Sequence, residues 1–236
     1  MTFLARLKSA TLLITPPLAL NKYSEFRSNP RRFHKKNVSA LLGFRYKFKV
    51  HEFRYIDTTD SYDVKWGWWS RIYEYELVIR VLNQLGFSSA SKVHNTCWGY
   101  HGCHILFKNE LESLGCEIVN SDLLVSRVEN TTVYDLRKNV PTDYKDSFDF
   151  VLNVSTIEEI DAPHLEIITR LMSMVKVGGY LVATFDIPGM QLNFLEQLLG
   201  TKIQSTKSPL NGSNSPYRMD EFQNLQVGYF VVERTL

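Results

Sequence analysis

Apolar residues along the chain follow two spacings, one typical of helices and one typical of strands. A stripe at helical spacing follows Ser70, a good N-cap, and predicts a helix that ends near Gly86. The segment 148–154, FDFVLNV, is almost continuously apolar, as expected for a strand buried on both faces of a parallel sheet. Further strands are predicted at 116–119, 131–135, 180–185 and 227–234, with helices after Pro163 and at 192–199. This alternation of strands and helices indicates a parallel α/β sheet.

The stretch 91–122 is the unit around which the rest of this pattern is arranged. It predicts a strand, a tight turn containing Gly99 and Gly102, a helix, and a second strand that ends at Asp122. A helix that opens after such a turn presents unpaired N–H groups and the positive end of its dipole to an anionic ligand group. An acid at the end of the next strand is where a βαβ unit usually holds a ribose hydroxyl. The stretch therefore predicts a nucleotide-type crevice.

Composition and charge divide the chain into two parts. The hydrophobic share of 44% is enough for a substantial core and excludes wholesale disorder. The net charge of +2 is unevenly spread, because residues 22–54 carry ten Lys and Arg against two acidic residues. We therefore predict a basic and aromatic N-terminal extension, 1–69, followed by an α/β domain, 70–236.

The basic segment 22–54 has more than one interpretation. Basic and aromatic residues that alternate can bind nucleic acid through phosphates and bases. The alternation at 44–53 is equally typical of a half-buried strand, and a solvated charged face explains the remainder. Since no nucleic-acid-binding motif accompanies the charge, we do not favour nucleic acid as the partner.

The cell compartment is predicted from the cysteines and the apolar runs. Three cysteines are too few for a disulfide framework and fit a reducing compartment, so we expect a cytoplasmic protein. The first twenty residues loosely resemble a secretory signal, but Pro16-Pro17 interrupts the apolar patch and favours an apolar arm. No run approaches the length of a membrane span.

Half of the histidines and two of the three cysteines lie within residues 94–104. Thiolates and imidazoles are zinc ligands, so a metal site has to be considered. The spacings fit no zinc finger or ribbon, and side chains on a strand, a turn and a helix start point in different directions. We predict no metal site here.

From about residue 70 to the end, the chain resembles the class I S-adenosylmethionine-dependent methyltransferases. Four segments carry this resemblance in the order of the family: KVHNTCWGYHG, VYDLRKNVP, SFDFVLNVSTIEEI and LMSMVKVGGYLVATFD. The resemblance implies a doubly wound, mostly parallel, seven-stranded Rossmann-like methyltransferase sheet that follows the N-terminal extension. It also implies S-adenosylmethionine as the cofactor.

The resemblance assigns cofactor-binding positions residue by residue. The opening motif of the family is an acid followed by three glycines on alternate residues. In this sequence these positions fall on Asn95, Cys97, Gly99 and His101, with Gly102 one place later. The acid that holds the ribose falls on Asp122, and the acid that contacts the adenine falls on Asp135. Arg71 is the residue for the cofactor carboxylate, and Asn153 lies at the end of the fourth strand.

The loop after the fourth strand is where the family places residues that face the methyl acceptor. Here Glu158 and His164 are the candidate bases, although Glu158 and Asp161 also suit the N-terminus of the next helix. The strand continues as Asn-Val-Ser-Thr, in contrast to the Asn-Pro-Pro-Tyr of nucleic-acid methylases. We therefore expect transfer to a small-molecule or glycan hydroxyl. The alternative is a catalytically inactive methyltransferase-fold protein that serves as a binding or structural partner.

Overall fold

The computed structural model describes residues 46–67, 69–97, 102–123, 131–217 and 222–236. Within them, one sheet contains seven strands: β1 (Phe48–Tyr55), β2 (Lys92–Thr96), β3 (Glu117–Asp122), β4 (Thr131–Val133), β5 (Phe148–Val154), β6 (Val175–Ile187) and β7 (Gln226–Arg234). The described helices are α1 (Arg71–Gln84), α2 (Gly102–Ser113), α3 (His164–Met174) and α4 (Leu192–Leu199). None of these helices is long and apolar enough to cross a membrane.

The strands are ordered β1-β7-β6-β5-β2-β3-β4. Strands β2 to β6 pair in parallel, and β7 is antiparallel to both of its neighbours, β6 and β1. Six of the seven strands therefore run in one direction. This sheet confirms the predicted mostly parallel, seven-stranded α/β fold.

Strand β1 lies within the segment that we predicted as an N-terminal extension. It pairs with β7 from Phe48↔Arg234 to Tyr55↔Gly228, with a register shift between Val50 and Glu52. The half-buried strand is thus the interpretation that holds for 48–55, because alternate side chains along it pack on the sheet and face the solvent. The rest of the basic segment, up to residue 45, lies outside the described residues.

Helices cover both faces of the sheet. Helices α3 and α4 share one core cluster with Val151, Leu181 and Phe230. On the opposite face α1 and α2 pack on each other, with the rings of Tyr75 and Phe107 stacked at a centroid distance of 4.0 Å. The sheet is therefore doubly wound, as the sequence predicted.

Strand β6 begins five residues earlier than the predicted strand, and it includes the pair Gly178-Gly179. The ladder shifts register between Phe148↔Val175 and Phe150↔Tyr180, so the two glycines form an irregularity inside the strand. A Cβ atom on Gly179 would lie 2.7 Å from the carbonyl oxygen of Asp149. Only glycine allows the two backbones to approach this closely.

Candidate active site

The order of the strands reverses between β2 and β5, whose carboxyl ends lie side by side with Thr96 in register with Asn153. From β2 the sheet continues to β3 and β4, and from β5 it continues to β6. Ligands of open α/β sheets bind in the crevice at such a switch point. Directly after the two strands, Thr156 Oγ1 donates a hydrogen bond to the carbonyl oxygen of Cys97 at 3.4 Å. This edge is the candidate site.

Cys97 occupies the position of the first glycine of the family motif, directly after β2. Its φ of 54° lies in the left-handed region, which favours glycine. Burial raises the pKa of its thiol well above the ordinary value, and the nearby carboxylates of Asp122 and Asp135 raise it further. Three of the predicted cofactor-binding residues are therefore close together at this edge.

The two acids on this side of the crevice differ in their surroundings. Asp135 accepts hydrogen bonds from the backbone N–H, Nε and Nη2 of Arg137 at 2.9, 2.8 and 2.9 Å. These bonds lower the pKa of the Asp135 carboxyl. Asp122 ends β3 and is partly exposed, and its carbonyl oxygen accepts a 2.8 Å bond from the N–H of Tyr134.

The side chain of Asn95 is engaged on the α2 face of the sheet. Its Nδ2 donates to Asn120 Oδ1 on β3 at 3.0 Å, and Asn120 Nδ2 donates to Glu112 Oε1 on α2 at 3.1 Å. Lys108 completes this chain through a 2.5 Å ion pair with Glu112. Through its Nδ2, the amide of Asn95 thus links β2, β3 and α2.

Asn153 is fully buried at the end of β5. Its Nδ2 donates to Thr96 Oγ1 at 2.9 Å, and that hydroxyl donates to the carbonyl oxygen of Leu152 at 2.7 Å. Its Oδ1 has no hydrogen-bond partner among the described residues. Because an unpaired buried acceptor is costly, this oxygen is suited to accept a hydrogen bond from a ligand.

Glu74 on α1 was not among our predicted site residues. Its buried carboxylate accepts hydrogen bonds from Ser155 and from Thr184 Oγ1 (2.5 Å) on one oxygen, and from Ser70 Oγ (2.9 Å) and Arg71 on the other. Ser155 has a φ of 39° directly after β5. Glu74 therefore fixes the start of the loop that was predicted to face the acceptor.

Arg71 forms an ion pair with Glu74 at the first position of α1. Burial lowers the pKa of its guanidinium, but the carboxylates of Glu74 and Asp186 overcome this effect and raise it, so Arg71 stays charged. Its Nε is buried without a hydrogen-bond partner among the described residues. This N–H can still donate to an anionic group.

The candidate base Glu158 lies in the 3-10 turn Ile157–Glu159 and is 6% exposed. Its Oε1 accepts a 2.8 Å hydrogen bond from the backbone N–H of Asp186, near the end of β6. Neither Oε2 of Glu158 nor Oδ1 of Asp186 has a partner in the described part of the chain. Burial raises the pKa of both carboxyls, and that of Asp186 reaches about 7; the charge of Asp186 adds to the effect on Glu158, and the charges of Glu74 and Glu159 add to the effect on Asp186.

Asp186 is a second residue that the sequence analysis missed. The signal for it was present, since Asp186 is the acid in the segment YLVATFD and lies near the carboxyl end of a predicted strand. In a parallel sheet that edge is where ligands bind. The argument that predicts Asp122 as a site residue therefore applies equally to Asp186.

His164, the other candidate base, begins α3 and is 2% exposed. Its ring packs against Phe194 of α4 at a centroid distance of 6.2 Å. Burial lowers the pKa of the imidazole to about 4. His164 thus lies at the α3–α4 interface as a neutral imidazole. Glu158, in contrast, lies two residues after Thr156, which contacts Cys97 at the crevice.

The remaining predicted positions belong to the turn after β2. Gly99 lies outside the described residues, as does His101, and Gly102 is the first residue of α2. Of the Cys/His segment 94–104, His94 is fully buried with Nε2 2.8 Å from Ser121 Oγ, and His104 contacts the hydroxyl of Tyr75. Among the described residues, no group of three metal-ligating side chains comes together.

No protein-family profile and no curated protein matches this sequence. Among solved structures, the (4+2) cyclase SpnF is similar with a TM-score of 0.50 and 11% identity, over 85% of this chain and 92% of that one. Phosphoethanolamine N-methyltransferase 2 of Haemonchus contortus has a TM-score of 0.43 and 11% identity, over 68% of this chain. This chain spans 53% of the length of the Haemonchus protein.

A TehB-like S-adenosylmethionine-dependent methyltransferase from Corynebacterium glutamicum is also similar. Its TM-score is 0.42 at 13% identity, over 68% of this chain and 96% of that one. These likenesses are likenesses of fold. The chain has the mostly parallel, seven-stranded Rossmann-like fold that its sequence predicted, and it shares this fold with SpnF.

Proposed function

We propose that this protein is an S-adenosylmethionine-dependent methyltransferase that acts on a small-molecule or glycan hydroxyl. The observation that carries the proposal is the crevice between β2 and β5, which has the cofactor-type residues Cys97 and Asp122 on one side and the Glu158–Asp186 pair on the other. A switch-point crevice with acids on both flanks suits a nucleoside-type ligand next to an acceptor whose proton must be removed.

The residues that would hold the cofactor fit its polar groups. Asp122 would accept from the ribose hydroxyls, and Asp135 would lie beside the adenine. The unpartnered Oδ1 of Asn153 would accept from the ammonium of the methionine moiety, and Nε of Arg71 would donate to its carboxylate. When bound, S-adenosylmethionine supplies an electrophilic methyl group on a sulfonium.

The chain itself would contribute orientation and proton removal. Glu74 holds Ser155 and therefore sets the direction of the loop that continues to Glu158. A hydroxyl acceptor needs a base within hydrogen-bonding reach, and Oε2 of Glu158 has its acceptor capacity available. Of the two candidate bases, Glu158 is favoured because His164 packs into the α3–α4 interface.

Calorimetry with S-adenosylmethionine and with its demethylated product tests this proposal. We expect both to bind, with affinities between micromolar and millimolar. Competition between them for one site would support a shared crevice. Absence of binding by either compound at millimolar concentration would overturn the enzyme proposal.

A second candidate function has its own supporting observation. The carboxylate of Asp135 is already occupied by Arg137, and the amide of Asn95 is occupied by Asn120. These contacts favour a methyltransferase-fold protein that has lost catalysis and serves as a binding or structural partner. Binding of the cofactor in the calorimetric experiment, followed by methylation of any hydroxyl acceptor, would exclude this alternative.

A further inference from the structure

The guanidinium of Arg71 is bonded through one of its nitrogens only, in the part of the chain that the structure describes. Its hydrogen bonds to Glu74 and, at 3.5 Å, to Ser70 Oγ both start from Nη1. Nε is buried and has no partner among the described residues. In a planar guanidinium, the N–H of Nε and one N–H of Nη2 point in the same direction, so they can bind one carboxylate with two parallel hydrogen bonds. This edge of Arg71 is unoccupied.

The burial of Arg71 makes the unoccupied edge informative. Only 13% of its side chain is exposed, and the side chain of its partner Glu74 is fully buried. A buried donor that makes no hydrogen bond destabilises the folded state, and most buried donors in proteins are paired. The exposed part of the side chain gives a ligand access to the guanidinium. An anionic ligand group would therefore supply the acceptor that the described residues do not.

Glu74 limits the direction in which this edge points. One oxygen of Glu74 accepts from Thr184 Oγ1 at 2.5 Å and from Ser155. Its other oxygen accepts from Ser70 Oγ at 2.9 Å and from Arg71. Four donors from three elements thus fix the position and the plane of the carboxylate. Because the guanidinium is rigid and planar, its bond to this carboxylate also restricts the orientation of the opposite edge.

Asp186 is the other acid whose charge acts on Arg71. Its Oδ1 and Nε of Arg71 are both buried without a partner among the described residues, so these two atoms are not bonded to each other. Asp186 therefore does not occupy the edge through Nε. An incoming carboxylate has no protein carboxylate to displace from that nitrogen.

We propose that Glu74 is a positioning residue that turns the Nε–Nη2 edge of Arg71 toward the carboxylate of S-adenosylmethionine. This inference rests on the proposed function and deepens it, because it names the residue that orients the contact and the geometry of the contact. Arg71 touches the ligand, and Glu74 acts only through Arg71. A lysine at position 71 could not serve both partners in this way, since an ammonium is a point charge without a planar fork.

The first experiment compares two ligands by calorimetry on the full chain. S-adenosylhomocysteine, the demethylated product, has the carboxylate, whereas 5′-methylthioadenosine keeps the nucleoside and the sulfur but lacks the amino-acid part. We expect the wild-type chain to prefer S-adenosylhomocysteine by about tenfold or more. Arg71→Met should weaken S-adenosylhomocysteine by about tenfold and change the affinity for 5′-methylthioadenosine by no more than about twofold. Arg71→Lys should restore only part of the loss.

The second experiment tests Glu74 without removing its buried carboxylate, because a chain that lacks it is at risk of unfolding. Thr184→Val deletes one hydroxyl donor to Glu74, and Thr184→Ser keeps that donor. Thr169→Val is the matched control, since Thr169 Oγ1 donates to the carbonyl oxygen of Leu165 at 2.6 Å within α3. We expect Thr184→Val to weaken S-adenosylhomocysteine by about threefold to tenfold, with 5′-methylthioadenosine unchanged within about twofold. Thr184→Ser and Thr169→Val should bind both ligands as the wild-type chain does.

The failure of this inference and that of the proposed function can be told apart. Absence of binding by both ligands would overturn the proposed function and the inference with it. Equal affinities of the wild-type chain for the two ligands, or an Arg71→Met chain that keeps the preference, would overturn the inference and leave the proposed function standing. A Thr184→Val chain that binds S-adenosylhomocysteine normally, or that loses affinity for both ligands equally, would remove Glu74 as the positioning residue.

Discussion

Thr184 on β6 donates a 2.5 Å hydrogen bond to the carboxylate of Glu74 on α1, which lies 110 residues earlier in the chain. The same oxygen accepts from Ser155, directly after β5. One buried carboxylate thus joins the first helix to the ends of two neighbouring strands. Because those strand ends border the candidate crevice, Glu74 couples the stability of the fold to the geometry of the site.

Replacement of this carboxylate should be among the most damaging single changes. Glu74→Gln leaves the guanidinium of Arg71 buried without its counter-charge, and we expect the free energy of unfolding to fall by about 3 kcal/mol or more. Urea denaturation measures the loss. Glu166→Gln is the matched control, since Glu166 pairs with Arg170 at the surface and should change stability by about 0.5 kcal/mol or less. Equal losses in both variants would contradict this account.

Asp186→Asn should have the opposite effect on stability at high pH. Burial raises the pKa of Asp186 from 3.8 to about 7, so the folded chain keeps a proton that the unfolded chain releases. This contribution weakens the fold as the pH rises from about 4 to about 7. Asparagine does not titrate and removes this destabilisation. We therefore expect Asp186→Asn to raise the free energy of unfolding by on the order of 1–3 kcal/mol at about pH 8, with no increase near pH 4. Urea titrations at the two pH values measure it, and a loss of stability at the higher pH would refute the reasoning.

Cys97 offers a direct test of the departure from the glycine motif. Its φ of 54° costs an L-residue about 1 kcal/mol or more, and glycine adopts this conformation without that cost. We expect Cys97→Gly to fold with its stability changed by no more than about 1 kcal/mol, and to bind S-adenosylmethionine more tightly, because the thiol no longer occupies the edge. Calorimetry and urea denaturation measure both effects.

Cys97→Val is the control for that change, since a β-branched residue is strongly disfavoured in the left-handed region. Cys97→Val should lower the free energy of unfolding and weaken the binding of S-adenosylmethionine. If valine and glycine behaved alike, the backbone conformation at residue 97 would not be the determinant.

The fold was predictable because its signals are local. The apolar run at 148–154 and the stripe along α1 gave a buried strand and an amphipathic helix, and both are present. Strand β1 was harder to assign, since alternating basic and aromatic residues also suit nucleic-acid binding and its partner β7 lies near the other end of the chain. Pairing across that distance leaves no trace in a local pattern.

The site was less predictable than the fold, for a reason that Glu74 illustrates. Glu74 lies between two buried tyrosines, so its burial could have been inferred from the helix alone. Its partners, Ser155 and Thr184, come from two later strand ends. Asn95 is a second example. Its position in the motif suggested a cofactor contact, and its Nδ2 donates a hydrogen bond to Asn120 on β3, a partner that the motif does not indicate.

Asp122 is the residue whose replacement should weaken cofactor binding most directly. A carboxylate that accepts from ribose hydroxyls contributes about 1.5–3 kcal/mol, so Asp122→Asn should weaken the affinity for S-adenosylmethionine by about tenfold or more. Calorimetry measures this. Asp143→Asn, in the exposed 3-10 turn Thr142–Tyr144, is the control and should leave the affinity unchanged. Unchanged affinity in both variants would remove Asp122 from the cofactor site.

Acid sensitivity of the fold should depend on His94. This residue is fully buried, with Nε2 2.8 Å from Ser121 Oγ, and burial lowers its pKa from 6.5 to about 3. The unfolded chain therefore takes up a proton below pH 6.5 that the folded chain refuses, and the stability present above pH 6.5 is lost as the pH falls toward 3. Each such proton costs about 1.4 kcal/mol per pH unit.

Urea titrations at about pH 7 and at about pH 5 test the role of His94. The wild-type chain should lose unfolding free energy between these pH values, and His94→Gln should make that loss smaller by about 2 kcal/mol. His164→Gln should remove a comparable share, because burial lowers the pKa of His164 to about 4. If both variants lost as much unfolding free energy between these pH values as the wild-type chain, neither buried imidazole would determine the acid sensitivity of the fold.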